Sequence, residues 1–434
     1  MSDPATDGRK PPHPFFYFLL FLPFGAASGF VSVTIGFLAA KAGLADTVIA
    51  GMIASQTLPH TLKFLWAPLV DTIWTARGWY IATNFISSGA IIATGFIPLG
   101  EDTVWLLSGL ILCIGVATTF IAMSTESLMA SLTPPESRGA AGGWSQAGNV
   151  GGTMVGGVGL LVAQNTAYVW LPSLVVGTAL LACSLALAFV KERAQVGVRP
   201  KFKARLIGLG KDIHGLLINR DRARKLPSKW LIPLPPVFIA VLSSAGILSI
   251  ALCMVPIGSG GALNLFSVIA SDWGASEDVV AIANSFGAGG AAIVGSLTGG
   301  YLATKIDKRK AYALSGVILA LFTFAMAAGP RTWLAYSIGV LAYNFALGMC
   351  YATFSAFVLD IIGHTGGATK YNMFASLANM PIYAMTLLDG WVATEYGRTT
   401  MLWVDGMSGI VGAVLLMGVV FILRATKNDP KPAP

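Results

Sequence analysis

The chain has 434 residues, of which 55% are hydrophobic and 11% charged, with a mean hydropathy of +0.71. Soluble globular chains carry about 25% charged residues, so a water-soluble fold is excluded by composition, and disorder and disulfide scaffolds fall with it. Lys and Arg outnumber Asp and Glu by 28 to 20, an excess whose location decides whether it speaks of nucleic acid or of membrane topology.

A helix crosses a bilayer with about 20 mainly apolar residues. Apolar runs between charges and turns predict twelve such spans. In the first half they cover 15–40, 46–67, 79–98, 103–131, 140–164 and 168–190. The second half has 236–270, 278–304, 311–329, 332–362, 372–394 and 400–424. The long run 236–270 contains Pro256, Gly258, Gly260 and Gly261 and reads as one bent helix. The expected fold is therefore all-α and integral to the membrane. It divides into a tail 1–14, a six-helix half 15–190, a basic linker 191–235, a second six-helix half 236–424 and a tail 425–434. Polar, Pro-rich residues open the chain and the first apolar run is long, so a cleavable signal peptide is not expected.

Basic residues set the orientation. With both termini in the cytoplasm, 24 Lys and Arg fall on that side, twelve of them between 191 and 230. Only Lys41, Arg331 and Arg398 fall outside, and Lys63 lies within a span. The linker has few aromatic residues for base stacking, so its charge points to anionic lipid and not to nucleic acid. Its stretch KFKARLIGLGKDIHGLL fits an amphipathic surface helix. Cys113, Cys183, Cys253 and Cys350 lie in apolar runs without metal spacing and read as buried hydrophobes.

The two halves share pattern. LPFGAASG at 22–29 matches VPIGSGGA at 255–262, so Pro23 pairs with Pro256 and Gly25 with Gly258. LADTVIAG at 44–51 matches SEDVVAIA at 276–283, Asp71 matches Asp307, and Asn149 matches Asn379. Six helices, a basic linker and six more resemble the major facilitator superfamily across essentially the whole chain. The family's loop signature appears as Gly300, Asp307, Lys308, Arg309 and Lys310, and in degenerate form as Asp71 and Arg77. That resemblance implies a substrate site near the midplane between the halves and access that alternates by rocking. It also implies that the fifth and eighth spans meet across the halves. The glycine stripes Gly148, Gly152, Gly156 and Gly295, Gly299 are expected to serve that contact.

Ionisable side chains inside a bilayer are costly and mark function. Glu126, in TTFIAMSTESLMASL, lies one or two turns inside the bilayer and is the candidate for proton coupling, with a structural pairing to Lys63 or Arg138 as the competing role. Lys63, His60 and Gln56 share one helix face and are candidate substrate contacts. Gln146, Asn149, Asn264, Asn344, Asn379 and Tyr383 are neutral hydrogen-bonding groups at plausible cavity depth. Asp71, Arg138, Asp307, Arg309, Asp360 and Lys370 read as gate residues at the cytoplasmic face. Asp389 is a further carboxyl in the eleventh span, with no facing assigned.

LPHTLKFLWAPLVD at 58–71 narrows the resemblance to the branch of AmpG-type muropeptide permeases and acetyl-coenzyme A transporters. ESLMASLTPPESRGAAGG, with Arg138-Gly139 in register, is similar to that branch's fourth-to-fifth helix junction. The chain departs from it with Glu126-Ser127 in place of an expected Asp-Ala, and with Thr72 in place of a basic residue after Asp71. The implied activity is proton-coupled import of a muropeptide-like sugar–peptide or similar bulky anionic solute through a bacterial inner membrane, by a monomer without cofactor. A siderophore importer or acyl-CoA-type transporter on the same fold, or a non-transporting membrane receptor, are the other readings. No buried metal set, Ser/His pair or HExxH suggests an enzyme, and no Walker motif suggests ATP-driven transport.

Overall fold

A computed structural model describes residues 11–134, 138–192, 207–208, 257–258, 260–362 and 374–425. Every regular element among them is helical. The first half comprises α1 (Phe15–Lys41), α2 (Asp46–Leu62), α3 (Ala76–Thr94), α4 (Val104–Leu132), α5 (Arg138–Gln164) and α6 (Leu171–Ala188). In the second half, α7 is the irregular helical segment 262–273. It is followed by α8 (Glu277–Lys305), α9 (Lys308–Ala328), α10 (Trp333–Ile362), α11 (Asn379–Tyr396) and α12 (Arg398–Ala425). The start of the seventh span, nearly all of the linker with its expected surface helix, Lys370 and both tails lie outside the described residues. So do the side chains of Asp71, Arg138, Gln146 and Asp360.

Helix starts follow from local chemistry. Thr75 caps α3 by accepting from the Gly78 N–H at 2.9 Å, Ser276 accepts from the Val279 N–H at the start of α8, and Asp307 accepts from Arg309 and Lys310 N–H at the start of α9. Two expected spans differ in detail. The second is not one helix: α2 stops at Leu62, a 3-10 turn takes Lys63–Leu65, and a short helix Ala67–Thr72 follows. Pro59 and Pro68 each lack the N–H that would continue the α ladder. Of the seventh span only 257–258 and the residues from 260 on are described, and those before 262 are not helical. Gly258 and Gly260 hold φ of +63° and +68°, a left-handed backbone that side chains disfavour, and the chain resumes at 262 in alternating 3-10 and α turns.

The halves repeat their packing. Helix α2 packs on α4 as α8 does on α10, α3 on α4 as α9 on α10, and α3 on α6 as α9 on α12. Helix α1 packs on α5, and α7 takes the same place against α11. The glycine stripes act inside each half, which corrects their expected role. A Cβ on Gly152 would lie 2.3 Å from the Leu22 carbonyl oxygen, and one on Gly156 would lie 2.2 Å from that of Ala26. In the second half a Cβ on Gly295 would meet the Phe345 oxygen at 1.8 Å, and one on Gly299 the Met349 oxygen at 2.6 Å. Those stripes bring α5 onto α1 and α8 onto α10. A small-residue stripe reports that another backbone is close, without saying whose.

The halves meet along α2 with α11 and α5 with α8, as the resemblance implied for the fifth and eighth spans. Other residues make that contact: Gly157 faces Ser285, Met154 and Val150 face Gly289, and Gly390 faces Ala50. Both π-helical turns of the molecule's described part sit at this boundary. One spans Phe30–Ile35 within α1, and its Ser32 carbonyl accepts from the Ser267 hydroxyl of α7. The other spans Ile282–Gly287 within α8 and carries the Ser285 that faces Gly157. A π-turn frees a carbonyl from the α ladder and so makes it available to a neighbour.

Candidate functional site

Helices α2 and α4 run side by side, and the polar residues of α2 lie along their seam. Gly115 lets α4 approach the Gln56 backbone, since a Cβ there would sit 2.5 Å from the Gln56 oxygen. One turn on, His60 Nε2 lies 3.4 Å from the Thr118 hydroxyl, and its ring stands edge-on to Phe24 with centroids 4.9 Å apart. The Trp66 indole then donates to Thr119 at 3.0 Å. Gln56 Nε2 and His60 Nδ1 are buried without a hydrogen-bond partner among the described residues. Unsatisfied buried groups are uncommon and mark places where structure serves something other than stability.

Lys63 is half-buried in the 3-10 turn that ends this column, and Glu126 is half-buried on α4 about two turns beyond Thr118. Neither makes an ion pair among the described residues, so the pairing of Glu126 with Lys63 is not formed here. Both charges are partly open to their surroundings.

The neutral candidates divide. Asn344 donates to the Val340 carbonyl and Asn379 to that of Ala375, both within or beside their own helices. Asn264, on the α7 segment, donates to the Thr386 hydroxyl of α11 at 2.8 Å. Asn149 and Tyr383 are half-buried and make no side-chain hydrogen bond among the described residues. Asp307 is exposed and spends its carboxylate on the α9 N-terminus, with Arg309 and Lys310 contributing their backbone N–H.

One set of functional-looking residues was not selected from sequence. At the end of the bundle that holds Lys41, Arg331 and Arg398, charges link the two halves. Arg398 of α12 grips Asp46 of α2 through two bonds of 2.8 and 2.9 Å and donates to Asp272 at 2.8 Å. Lys41 of α1 pairs with Glu277 of α8, and the Thr47 N–H donates to Thr394 of α11 at 2.9 Å. Arg331 lies over the Trp273 ring at 4.0 Å and donates to Thr399. A cavity of about 320 Å³ opens beside this lock between Phe37, Ser267, Ser271 and Arg398. The signal was present in the sequence: these are the three basic residues that break the charge bias, and each has a structural partner.

No protein-family model matches the chain. The anhydromuropeptide permease of Escherichia coli K12 is 24% identical over 395 residues, covering 85% of this chain and 72% of that protein. The same permease from strain O157:H7 aligns equally. The chain's fold is that of the major facilitator transporters. A nucleoside transporter superposes with a TM-score of 0.67 at 14% identity, over 93% of this chain and 98% of the other. A D-xylose–proton symporter gives 0.64 at 16% identity over 93% and 96%, and an inward-open xylose transporter of E. coli 0.63 at 15% over 94% and 95%.

Proposed function

We propose that this chain is a secondary transporter that imports a muropeptide-like sugar–peptide, or a similarly bulky anionic solute, with a proton. The observation that carries the reading is similarity to a muropeptide permease along 85% of the chain, on a fold whose two halves are tied by ion pairs at one end. The relatives and structural neighbours are permeases and transporters, and none is named as an enzyme. In this reading the charge bias puts the tied end outside and both termini in the cytoplasm, and the likeness to the permease makes the membrane a bacterial inner one. The arrangement is then the inward-facing member of an alternating-access pair.

In this reading Gln56, His60 and Lys63 supply donors for an anionic solute, while Gln146, Asn149, Asn264, Asn344, Asn379 and Tyr383 line the path. Glu126, half-buried and without an ion-pair partner among the described residues, takes up and releases the coupled proton. Asp71, Arg138, Asp307, Arg309, Asp360 and Lys370 gate the cytoplasmic side, and the linker 191–235 rests on anionic lipid. The unit that works is a monomer in the bilayer, with no cofactor and no nucleic acid.

The test is uptake of labelled anhydromuropeptide into proteoliposomes, with and without an imposed pH gradient. Gradient-driven accumulation is expected. Equilibration indifferent to the gradient removes proton coupling, and tight binding with no movement favours a receptor. Glu126→Gln should retain exchange and lose accumulation; full accumulation by that variant removes Glu126 from the coupling step.

A further inference from the structure

The second half holds a pair of acids that the reading above does not use. Asp389 on α11 is fully buried, and Asp405 on α12 is 5% exposed. Two consecutive residues of the chain bring them together: Gly261 packs on Asp389, and the N–H of Ala262 points at Asp405. Asp405 is dressed by donors: Tyr343 of α10 donates to its Oδ2 at 3.2 Å, and the Ala262 N–H of α7 approaches its Oδ1 at 3.4 Å. Neither oxygen of Asp389 receives a hydrogen bond from a described donor.

Among the described residues, the other ionisable groups around the pair supply no counter-charge. Helix α10 presents Tyr343, Tyr351 and Cys350, and α9 presents Tyr312, which donates to the Ile257 carbonyl. From α2, Asp46 is held by Arg398 at the lock, and His60 lies by Thr118 on the α4 side. Arg398, seven residues before Asp405, is committed to Asp46 and Asp272. Two ionised carboxylates brought together, out of water and with no cation, have only acceptors to offer each other. One proton changes that, because it makes one carboxyl a donor to the other. A metal ion fits less well, since both Asp405 oxygens already face N–H and O–H hydrogens and no metal-type cluster is present among the described residues.

We propose that Asp389 and Asp405, steadied by Tyr343, form a proton-binding site of the second half that holds one shared proton in this conformation. The site is seven residues from the Tyr396 and Arg398 helix ends, about 10 Å in from the lock. Backbone at the start of α7 forms its wall. Gly261 sits directly over Asp389, where a Cβ would fall 2.5 Å from Oδ2. Ala262 donates to Asp405, and Asn264, three residues from Gly261, reaches Thr386 one turn from Asp389. Movement of residues 261–264 therefore alters the donors of the pair and the position of Asn264 together, which links proton occupancy to the path between the halves. A proton enters as H+ when the pair is exposed and leaves as H+ when it is exposed on the other side, with no bond broken but O–H.

This role in transport rests on the proton-coupled reading, whereas the existence of the shared proton does not, and the two are read separately. Infrared difference spectra of the full chain in lipid at neutral pH should show a carboxylic-acid C=O band that Asp389→Asn removes. Asp405→Asn should remove the same band, and Tyr343→Phe should shift it without abolishing it. No such band in the wild type, or one that survives both Asp substitutions, overturns the proposal. Should one Asp variant not fold, the wild-type spectrum and Tyr343→Phe still decide. In proteoliposomes, one pH unit drives about tenfold accumulation per coupled proton, and Asp389→Asn should lose it while still exchanging labelled anhydromuropeptide. Failure of the wild type to move that probe counts against the transport reading and leaves the spectroscopic result to judge the site.

Discussion

The ionisable groups of the two halves are arranged in opposite ways. In the first half Lys63 and Glu126 are half-buried and make no ion pair among the described residues, while His60 and Gln56 keep unsatisfied nitrogens. In the second half Asp389 and Asp405 are sealed from solvent and flank the consecutive residues Gly261 and Ala262. Open, unpaired charges are suited to meeting a solute that arrives and leaves, and a sealed pair is suited to a particle as small as a proton. One fold repeated twice thus carries two kinds of site.

Substitutions can break that contrast. The largest effect is expected from Lys63→Ala. Removing one partner of a desolvated charge pair costs about 2–5 kcal/mol, so binding of an anionic muropeptide should weaken by roughly 30-fold or more in a direct binding assay. Unchanged affinity would take Lys63 out of the site and leave the first half without its cation. Arg398→Ala comes next. It leaves Asp46, only 8% exposed, without the guanidinium that holds it, and unties α12 from α2. Loss of about 1.4 kcal/mol from the locked state opens that end tenfold more often, which labelling of a cysteine placed at Ala275 would read as faster modification.

Packing should respond alike in both halves. Gly156→Val presses on the Ala26 carbonyl and Gly295→Val on that of Phe345, and each should cost about 1–3 kcal/mol, seen as a lower melting temperature. A much larger loss for one would show that the halves differ in packing as well as in charge. The smallest effect belongs to Lys41→Ala. Its pair with Glu277 is largely solvent-exposed and should contribute less than about 1 kcal/mol, so melting should barely move and salt should mask the difference.

Much of this was legible in the chain. Hydropathy and charge bias give the spans because a bilayer leaves a helix few alternatives, and α1, α4, α6, α8, α9, α10 and α12 all contain apolar windows long enough to cross. Helices α2, α3, α5 and α11 are not among those windows, and of these α2, α5 and α11 take part in the contact between the halves. Contacts distant in sequence were hidden: Asp46 and Arg398 are 352 positions apart, and nothing local announces that they touch. Asp389 was visible as an acid in a span, yet its partner Asp405 lies on another helix and its surroundings are set by three others. Nor did the stripe Gly148, Gly152, Gly156 reveal that its neighbour is α1, because glycine marks closeness without naming the other side.

The π-turns leave a record in the numbering itself. Pro23 and Pro256 stand 233 positions apart, but Leu44 and Ser276 stand 232 apart, and the extra residue of the Phe30–Ile35 turn lies between those two marks. By Asp71 and Asp307 the spacing has risen by four to 236, of which the Ile282–Gly287 turn in the second half supplies one residue. A one-residue insertion in a helix survives as a bulge and rotates everything beyond it by about 100°. Deleting one residue from 30–35 should therefore leave α1 helical while swinging Lys41 away from Glu277, so the two halves could not have kept both their lock and a common register.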